Sequence, residues 1–373
     1  MRVTDAVWLG LVLPSVLAWV GLLVLPWLPW LNRERLGPQA AVDDSDFSRV
    51  TVLIPARDEA DVLARTLAAL RAQAAGLKVI VVDDLSSDGT AQVARNGGAI
   101  VVDGNAVPRG WAGKLWALEQ GLRRVDTPLV LLLDADIELK PGMLAALLNR
   151  RRERGLQFVS VMADLRRTTF WDRLLLPAFV YYFRLIYPFA LSNAPGSRVA
   201  AAAGGCVLVE VATLRTVGAF SSLRGALIDD CTLARRVKVS GGRTWMGVSR
   251  GVVSLREYGS LASIYRMVAR SAYTQLRYSA ALLAIVTVVF VLVYWLPIAT
   301  LVAGSGLAWA LAWVAVVAMV VGYLPTLRYY DAPPWLAVLL PVTGTLYLCM
   351  TWGSALRYWR GVRSTWKGRS YVR

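Results

Sequence analysis

The sequence predicts an α/β domain with a Rossmann-like alternating sheet, joined to an N-terminal transmembrane helix and a C-terminal transmembrane helical region. Three observations predict it. The chain has 373 residues, 56% of them apolar and only 18% charged, which is too greasy for a wholly soluble protein of this length. Its charge-free runs gather towards the two ends. Between them, short apolar segments of strand length alternate with helical patterns, as in a layered α/β sheet.

Ala6 to Leu31 carries no charge, and about 20 such residues suffice to cross a bilayer. The run outlasts the roughly 7 to 15 apolar residues of a cleavable signal, so residues 1–31 are expected to form an uncleaved anchor. A polar domain, 32–279, follows. Val50 to Pro55 reads as its first strand, Asp61 to Ala74 as a helix, and Val79 to Val82 as a second strand, a βαβ pattern. Ile100 to Val102, a helix over Leu115 to Leu122, and Leu129 to Leu133 extend it. Strands this continuously apolar are expected to be parallel and covered on both faces.

Phe170 to Phe189 is dense in aromatic residues yet keeps Asp172, Arg173 and Arg184. That composition suits a helix near 170–190 at the membrane interface; a core helix is the alternative. Three further apolar runs, Ala280 to Val302, Leu307 to Leu324 and Trp335 to Ser354, make up the helical region 280–356. The tail 357–373 is basic, with Arg357, Arg360, Arg363, Lys367, Arg369 and Arg373 and no acid. Four crossings with a cytosolic domain would put this tail outside, against the positive-inside rule. Trp335 to Ser354, interrupted by Pro341, Thr343, Gly344 and Thr345, is therefore expected to be re-entrant or interfacial.

Composition excludes much chemistry. There is no histidine, hence no Ser-His-Asp or Cys-His triad and no His-ligated zinc. Cys206, Cys231 and Cys349 form no CxxC pair, against a disulfide framework or a thiolate metal site. The net charge of +16 suits anionic lipid surfaces or anionic substrates. No helix-turn-helix, zinc-finger or RNP-like run accompanies it, so no nucleic-acid partner is expected. The apolar runs lack ionisable residues along a path, against transport. A nicotinamide Rossmann turn is missing, since Pro55-Ala56-Arg57 stands where its glycines would be.

Acids concentrate just after the strands: Asp58-Glu59 after the first, Asp83-Asp84 and Asp88 after the second, Asp134-Ala135-Asp136 after the fourth. Ligands in such sheets bind where strands end. An acid cluster there calls for a cation, and oxygen-only ligands select Mg²⁺ or Mn²⁺. Each motif alone reads equally as a solvated turn with capping acids. Gly204-Gly205, after Ala200 to Ala203, would let backbone approach a ligand closely or make a tight turn. Cys206 reads as a buried small residue.

Taken in order, IPARDEA, VVDDLSSDGT, GWAGKLWAL, LLLDAD and IDDCTLARR resemble the motif series of the family 2 glycosyltransferases, membrane members of the GT-A nucleotide-diphospho-sugar transferase fold. The longer strings FWDRLLLPAFVYYF, AAAGGC, GALIDDCTLARR and MVARSAYTQLRYS resemble the hopene-associated subgroup. The resemblance implies that Pro55, Ala56 and Glu59 frame the donor nucleotide, Asp84 meets the base edge, and Lys114 approaches the diphosphate. It implies that Asp134 and Asp136 bind Mg²⁺ or Mn²⁺ and that Asp230 is the general base beside Asp229. A cap on a helix Cys231 to Val239 is the other reading of that pair. Gly204, Gly205 and Asp229, with Gln275, Arg277 and Tyr278, are the acceptor-side candidates. Arg266 to Arg270 and Gln275 to Tyr278 match the family's Q/R-x-x-R-W motif only in part, which speaks against processive polymer synthesis; arginines anchoring in headgroups are the alternative. Trp366-Lys367-Gly368-Arg369 resembles a basic aromatic motif of related enzymes.

The resulting expectation is an inverting, metal-dependent glycosyltransferase, multi-pass in a bacterial inner membrane with its catalytic domain in the cytosol. It would move a sugar from a nucleotide donor, UDP-linked by preference, to a hydroxyl of a membrane lipid such as a hopanoid or another isoprenoid. Diacylglycerol, ceramide-like or polyprenyl-phosphate acceptors are the alternative within this chemistry. A membrane scaffold that binds nucleotide sugars without turnover is the alternative outside it.

Overall fold

Eight strands build one mixed sheet in the computed structural model, which describes residues 3–40, 44–224, 226, 228–366 and 369–372. Lys367, Gly368 and Arg373 of the basic tail lie outside the described residues. β1 (Val50–Ala56), β2 (Lys78–Asp83), β3 (Ile100–Asp103) and β4 (Leu129–Leu133) form the parallel part, ordered β3-β2-β1-β4. The helices Ala60–Arg71, Thr90–Asn96 and Gly113–Leu122 connect them. Every residue of β1 and β4 is buried. β3, at the edge, leaves Ile100 half exposed, so cover on both faces holds for the inner strands only.

The other half departs from the all-parallel expectation. β5 (Ile137–Leu139), β6 (Phe158–Asp164), β7 (Cys206–Glu210) and β8 (Thr244–Ser254) continue the sheet as β4-β7-β6-β8-β5. β7 runs antiparallel to both β4 and β6, and β5 antiparallel to β8. Leu133 pairs with Cys206, and Ile137 with Ser254. These two pairings matter most, because they fix what faces the acids between β4 and β5. Apolar side chains pack on both faces of the sheet, Val52, Ile54 and Leu131 on one and Leu53, Val82 and Leu132 on the other.

Four helices are long and apolar enough to cross a membrane by length and composition: Ala6–Val24, Ala280–Ala303, Gly306–Tyr329 and Pro334–Trp359. The second contains a π-helical turn, Val291–Trp295, just before Pro297. Pro297 has no N–H for the carbonyl four residues earlier, and an unpaired carbonyl in apolar surroundings is costly. Trp19 Nε1 donates to that Val293 carbonyl at 2.9 Å, and Ser15 Oγ to the Leu292 carbonyl at 2.5 Å. The first helix thus mends the second. The fourth opens with a 3₁₀ turn, Pro334–Leu339, and continues unbroken as Leu340–Trp359. Pro341 falls in its first turn, where a missing N–H breaks no bond.

The aromatic segment forms the helix Phe170–Ile186, started by a capping box. Thr169 Oγ1 accepts from the Asp172 N–H at 3.3 Å, and the Asp172 carboxylate accepts from the Thr169 N–H at 3.0 Å. Leu174, Leu175 and Tyr181 are buried with Trp19, Tyr323 and Leu336 of the apolar helices. Arg184, 2% exposed, donates to Asn32 Oδ1 and lies 3.6 Å from Glu34. Val180 of the same helix packs with Met162 and Met246 of the sheet, so the helix is wedged between the sheet and the apolar helices.

Candidate active site

The DxD acids occupy the link between two strands of opposite neighbours. Asp134 follows β4 and Asp136 precedes β5. The Asp134 N–H donates to the Gly205 carbonyl at 3.0 Å, a consequence of the β4–β7 pairing. The β5–β8 pairing brings Arg256, two residues beyond β8, to 3.6 Å from the Asp136 carboxylate. Lys114, in the first turn of Gly113–Leu122, reaches Asp134 at 2.5 Å and the Gly204 carbonyl at 3.4 Å. Asp229 and Asp230 open the helix Asp229–Val239. Asp230 accepts from the Gly204 and Cys231 N–H groups, both at 2.8 Å, so the helix start is fastened to the strand that lies opposite Asp134.

A methyl group at 204 would touch Asp230 Oδ2 and Lys114 Nζ at 3.5 Å, and one at 205 would touch Ile137 at 3.4 Å, both ordinary contact distances. Larger side chains would fill the space between the charged groups.

Electrostatics follow from crowding. Burial raises the Asp136 carboxyl, and the Asp134 carboxylate raises it further against the pull of Arg256 and Lys114. Burial, then Asp229, push Asp230 up to about 6, although two backbone N–H groups and Lys114 oppose this. Burial alone would lower the Lys114 ammonium, but Asp134, Asp229 and Asp230 together hold it well above the ordinary lysine value.

Pro55, Glu59, Lys114, Asp134, Asp136, Gly204, Gly205, Asp229 and Asp230 all line one cavity of about 250 Å³, with Arg256 and Arg270. A second cavity of about 570 Å³ shares Asp134, Asp136, Gly204, Gly205, Asp230, Arg256 and Arg270 as its wall. It extends towards Phe179, Phe183, Arg266, Met267 and Arg357. The two chambers therefore meet at the carboxylates.

Several expected site residues lie elsewhere. Ala56 and Asp84 are fully buried at the ends of β1 and β2 and line neither cavity. The Asp84 N–H donates to Ala56, and the Asp84 carbonyl accepts from Arg57. Asp88 and Asp58 hold the two loops together: Asp88 accepts from the Thr90 and Ala60 N–H groups, Asp58 from Ser87. Theirs is the turn role. Gln275, Arg277 and Tyr278 also miss both cavities. Gln275 accepts from the Tyr187 hydroxyl at 2.7 Å, and Tyr278 stacks on Tyr358 with ring centroids 4.3 Å apart. Arg277 and Tyr278 have φ of 51° and 58°, a left-handed turn that rotates them away from their helical spacing. Arg266 and Arg270, read beside headgroup anchoring, do line the larger cavity. Arg256 escaped sequence reading altogether, since only the β5–β8 pairing brings it to Asp136.

The family described as "Glycosyltransferase like family 2" matches residues 48–274, more than half of the chain. The 4,4'-diaponeurosporenoate glycosyltransferase of Staphylococcus haemolyticus (strain JCSC1435) is 34% identical over 119 residues, 31% of this chain and 32% of that protein. The protein of the same name from Staphylococcus aureus (strain USA300) is 36% identical over 108 residues, 28% of this chain and 29% of that protein. The chain thus matches under a third of these relatives' length. Among solved structures, a mannosyltransferase from Pyrobaculum calidifontis in complex with GDP-Man and Mn²⁺ superposes with a TM-score of 0.51 at 19% identity, covering 94% of this chain and 95% of that one. The likeness is one of fold, a mixed α/β GT-A-like architecture.

Proposed function

The chain belongs to glycosyltransferase family 2, and from that premise we propose that it transfers a sugar, by inversion, from a nucleotide-diphosphate donor to a membrane lipid. The single observation that carries this reading is the convergence of Asp134, Asp136, Asp230 and Lys114 on one cavity that continues into a second, partly apolar one.

In the first chamber Pro55 and Glu59 would border the nucleotide and Lys114 the diphosphate. Asp230 would take the proton of the acceptor hydroxyl as its oxygen attacks the anomeric carbon. The bond to the nucleoside diphosphate breaks in the same displacement, and its electron pair leaves on the phosphate oxygen. One displacement inverts the anomeric configuration. A carboxyl raised to about 6 suits a base working near neutrality.

Asp134 and Asp136 fit a divalent ion. They are an oxygen-only, mutually repelling pair, and the described residues offer no group of three metal-binding side chains. Two carboxylates completed by substrate phosphate oxygens are what Mg²⁺-type sites use. Bound there, Mg²⁺ or Mn²⁺ would supply charge neutralisation for the leaving diphosphate. The mannosyltransferase solved with Mn²⁺ supports that class of ion.

The donor is proposed as a UDP-sugar, the acceptor as a lipid of hopanoid or other isoprenoid type, and the site as the cytosolic face of a bacterial inner membrane. The staphylococcal relatives, named for an isoprenoid acid, support an apolar acceptor; glycerolipid or polyprenyl-phosphate acceptors remain the second choice. Radiolabel from a panel of UDP-sugars is expected in the lipid fraction of membranes containing the protein. Asp230→Asn should reduce incorporation at least 100-fold, on the order of the loss of a general base. Full activity in that variant would refute the base assignment, and no incorporation from any donor would support the non-catalytic scaffold.

A further inference from the structure

We propose that a basic pocket at the domain end of the third apolar helix, Gly306–Tyr329, holds the headgroup phosphate of an anionic phospholipid of the surrounding bilayer. The proposal rests on reading the apolar helices as membrane-spanning, and its ligand is neither donor nor acceptor.

The pocket encloses about 460 Å³ and shares no lining residue with the two cavities of the candidate active site. Arg35, Lys140, Arg250 and Arg328 line it, and no described carboxylate does. Asp331, outside the lining, answers Arg250 at 3.0 Å. Arg35, Lys140 and Arg328 have no ion-pair partner among the described residues. Three cations thus line one hollow without a counter-charge, and a concave wall of one sign concentrates its field on whatever enters.

The fold fixes where they stand. Arg35 belongs to a strap joined to β8: the Val248 N–H donates to the Glu34 carbonyl at 2.9 Å, and the Leu36 N–H to the Val248 carbonyl at 3.0 Å. Arg35 Nε donates to the Asn32 carbonyl at 2.6 Å. Lys140 follows β5, and its N–H donates to the Gly251 carbonyl at 2.8 Å. A methyl at Gly251 would meet Met143 Sδ at 2.4 Å and Pro38 at 3.2 Å, so glycine lets the strap lie close. Arg35 and Arg250 stand over the Tyr329 ring, 5.0 and 5.1 Å from its centroid, and Arg250 also donates to the Tyr329 carbonyl. Tyr329 lines the pocket yet is 6% exposed, and its hydroxyl is buried without a hydrogen-bond partner among the described residues. Guanidinium groups held in place in this way present planar donors that match phosphate oxygens.

Position decides where the phosphate comes from. Arg328 and Tyr329 end a 24-residue apolar helix, and the Asn32 amide pins the strap to the same end by donating to the Pro325 carbonyl at 3.0 Å. A bilayer crossed by this helix puts the pocket at headgroup depth, where basic clusters attract anionic lipid. The neutral lining is only Leu36, Gly37, Pro38, Gly251 and Tyr329, so the headgroup enters while its chains stay in the membrane. A nucleotide would find no free ring to stack on, because guanidinium groups already stand over Tyr329. Only β5 separates Lys140 from Asp136, so a headgroup held here would anchor the sheet edge beside the candidate active site.

The test uses the full-length protein in detergent, with Gly37→Cys in a Cys349→Ser background and an environment-sensitive dye on the introduced thiol. A side chain at 37 meets nothing within 4 Å, and Cys206 and Cys231 are buried. The probes are dihexanoyl phosphatidylglycerol, dihexanoyl phosphatidylcholine and inorganic phosphate. Phosphatidylglycerol is expected to saturate the signal at a concentration at least tenfold below either of the others. Lys140→Gln/Arg328→Gln, which alters two exposed side chains, should weaken it roughly tenfold, and Lys140→Arg/Arg328→Lys should keep it. Raising NaCl from about 0.05 to 0.5 M should weaken phosphatidylglycerol binding to the wild-type pocket and leave phosphatidylcholine unchanged, a readout that does not depend on the double variant folding. Equal affinity for the two lipids, unchanged affinity in the Gln variant, or indifference to salt would overturn the proposal. Inorganic phosphate binding as tightly as phosphatidylglycerol would overturn the lipid as its source. Asp230→Asn should bind phosphatidylglycerol as wild type does. Failure of the proposed function would therefore show separately, as absent label incorporation beside intact phosphatidylglycerol binding.

Discussion

Asp230 sits where burial and a neighbouring carboxylate push it up to about 6. A base must be unprotonated to act, so initial transfer rates are expected to rise as pH climbs through about 6 and to level above it. Asp229→Asn removes the second cause of the shift and should move that rise to lower pH; a pH–rate profile from 5 to 8 for both proteins checks this. The sign for stability is opposite. The folded state holds this proton more tightly than the unfolded state, so the stabilisation is fully present below the ordinary carboxylate value of 3.8 and is lost as pH rises through about 6. The positions of these side chains were legible where they are local. Asp134 and Asp136 stand beside an apolar strand, and the Asp229-Asp230 pair opens a helix. Arg256 was not legible, because nothing near it in sequence points to Asp136. That Gln275, Arg277 and Tyr278 line neither cavity was not legible, because the left-handed turn at Arg277 and Tyr278 is invisible in their spacing.

Among elements, the second apolar helix depends on the first. Trp19→Phe keeps an aromatic ring but removes the N–H that answers the Val293 carbonyl. It is expected to lower stability by about 1 to 3 kcal/mol, the cost of leaving a buried carbonyl unanswered. Thermal unfolding in detergent should show the loss, with exposed Trp313→Phe as an unchanged control. The parallel strands were readable because each is a short apolar run followed by a helix. β7 was not. It enters between β4 and β6 in the opposite direction, and its lead-in of alanines and glycines reads as a turn. The helix start at Pro341 was equally hard to read, since proline breaks a helix interior but is harmless in a first turn.

At the level of the whole molecule, the helix Phe170–Ile186 ties the α/β domain to the long apolar helices. Residues 32–279 produced alone would bare Leu174, Leu175 and Tyr181, which Trp19, Tyr323 and Leu336 otherwise cover. Such a fragment is expected to aggregate, eluting in the void volume on size exclusion, whereas the full chain in detergent elutes as a discrete species. The aromatic richness of the segment announced contact with something apolar; that the partner is the chain's own long apolar helices needed the tertiary structure. The wall of carboxylates common to both chambers has a last consequence. A water-borne donor and an oil-borne acceptor can each stay in its own solvent while their reacting ends touch, so on this reading no lipid has to be lifted out of the bilayer, and the spent nucleotide and the finished glycolipid depart by different doors.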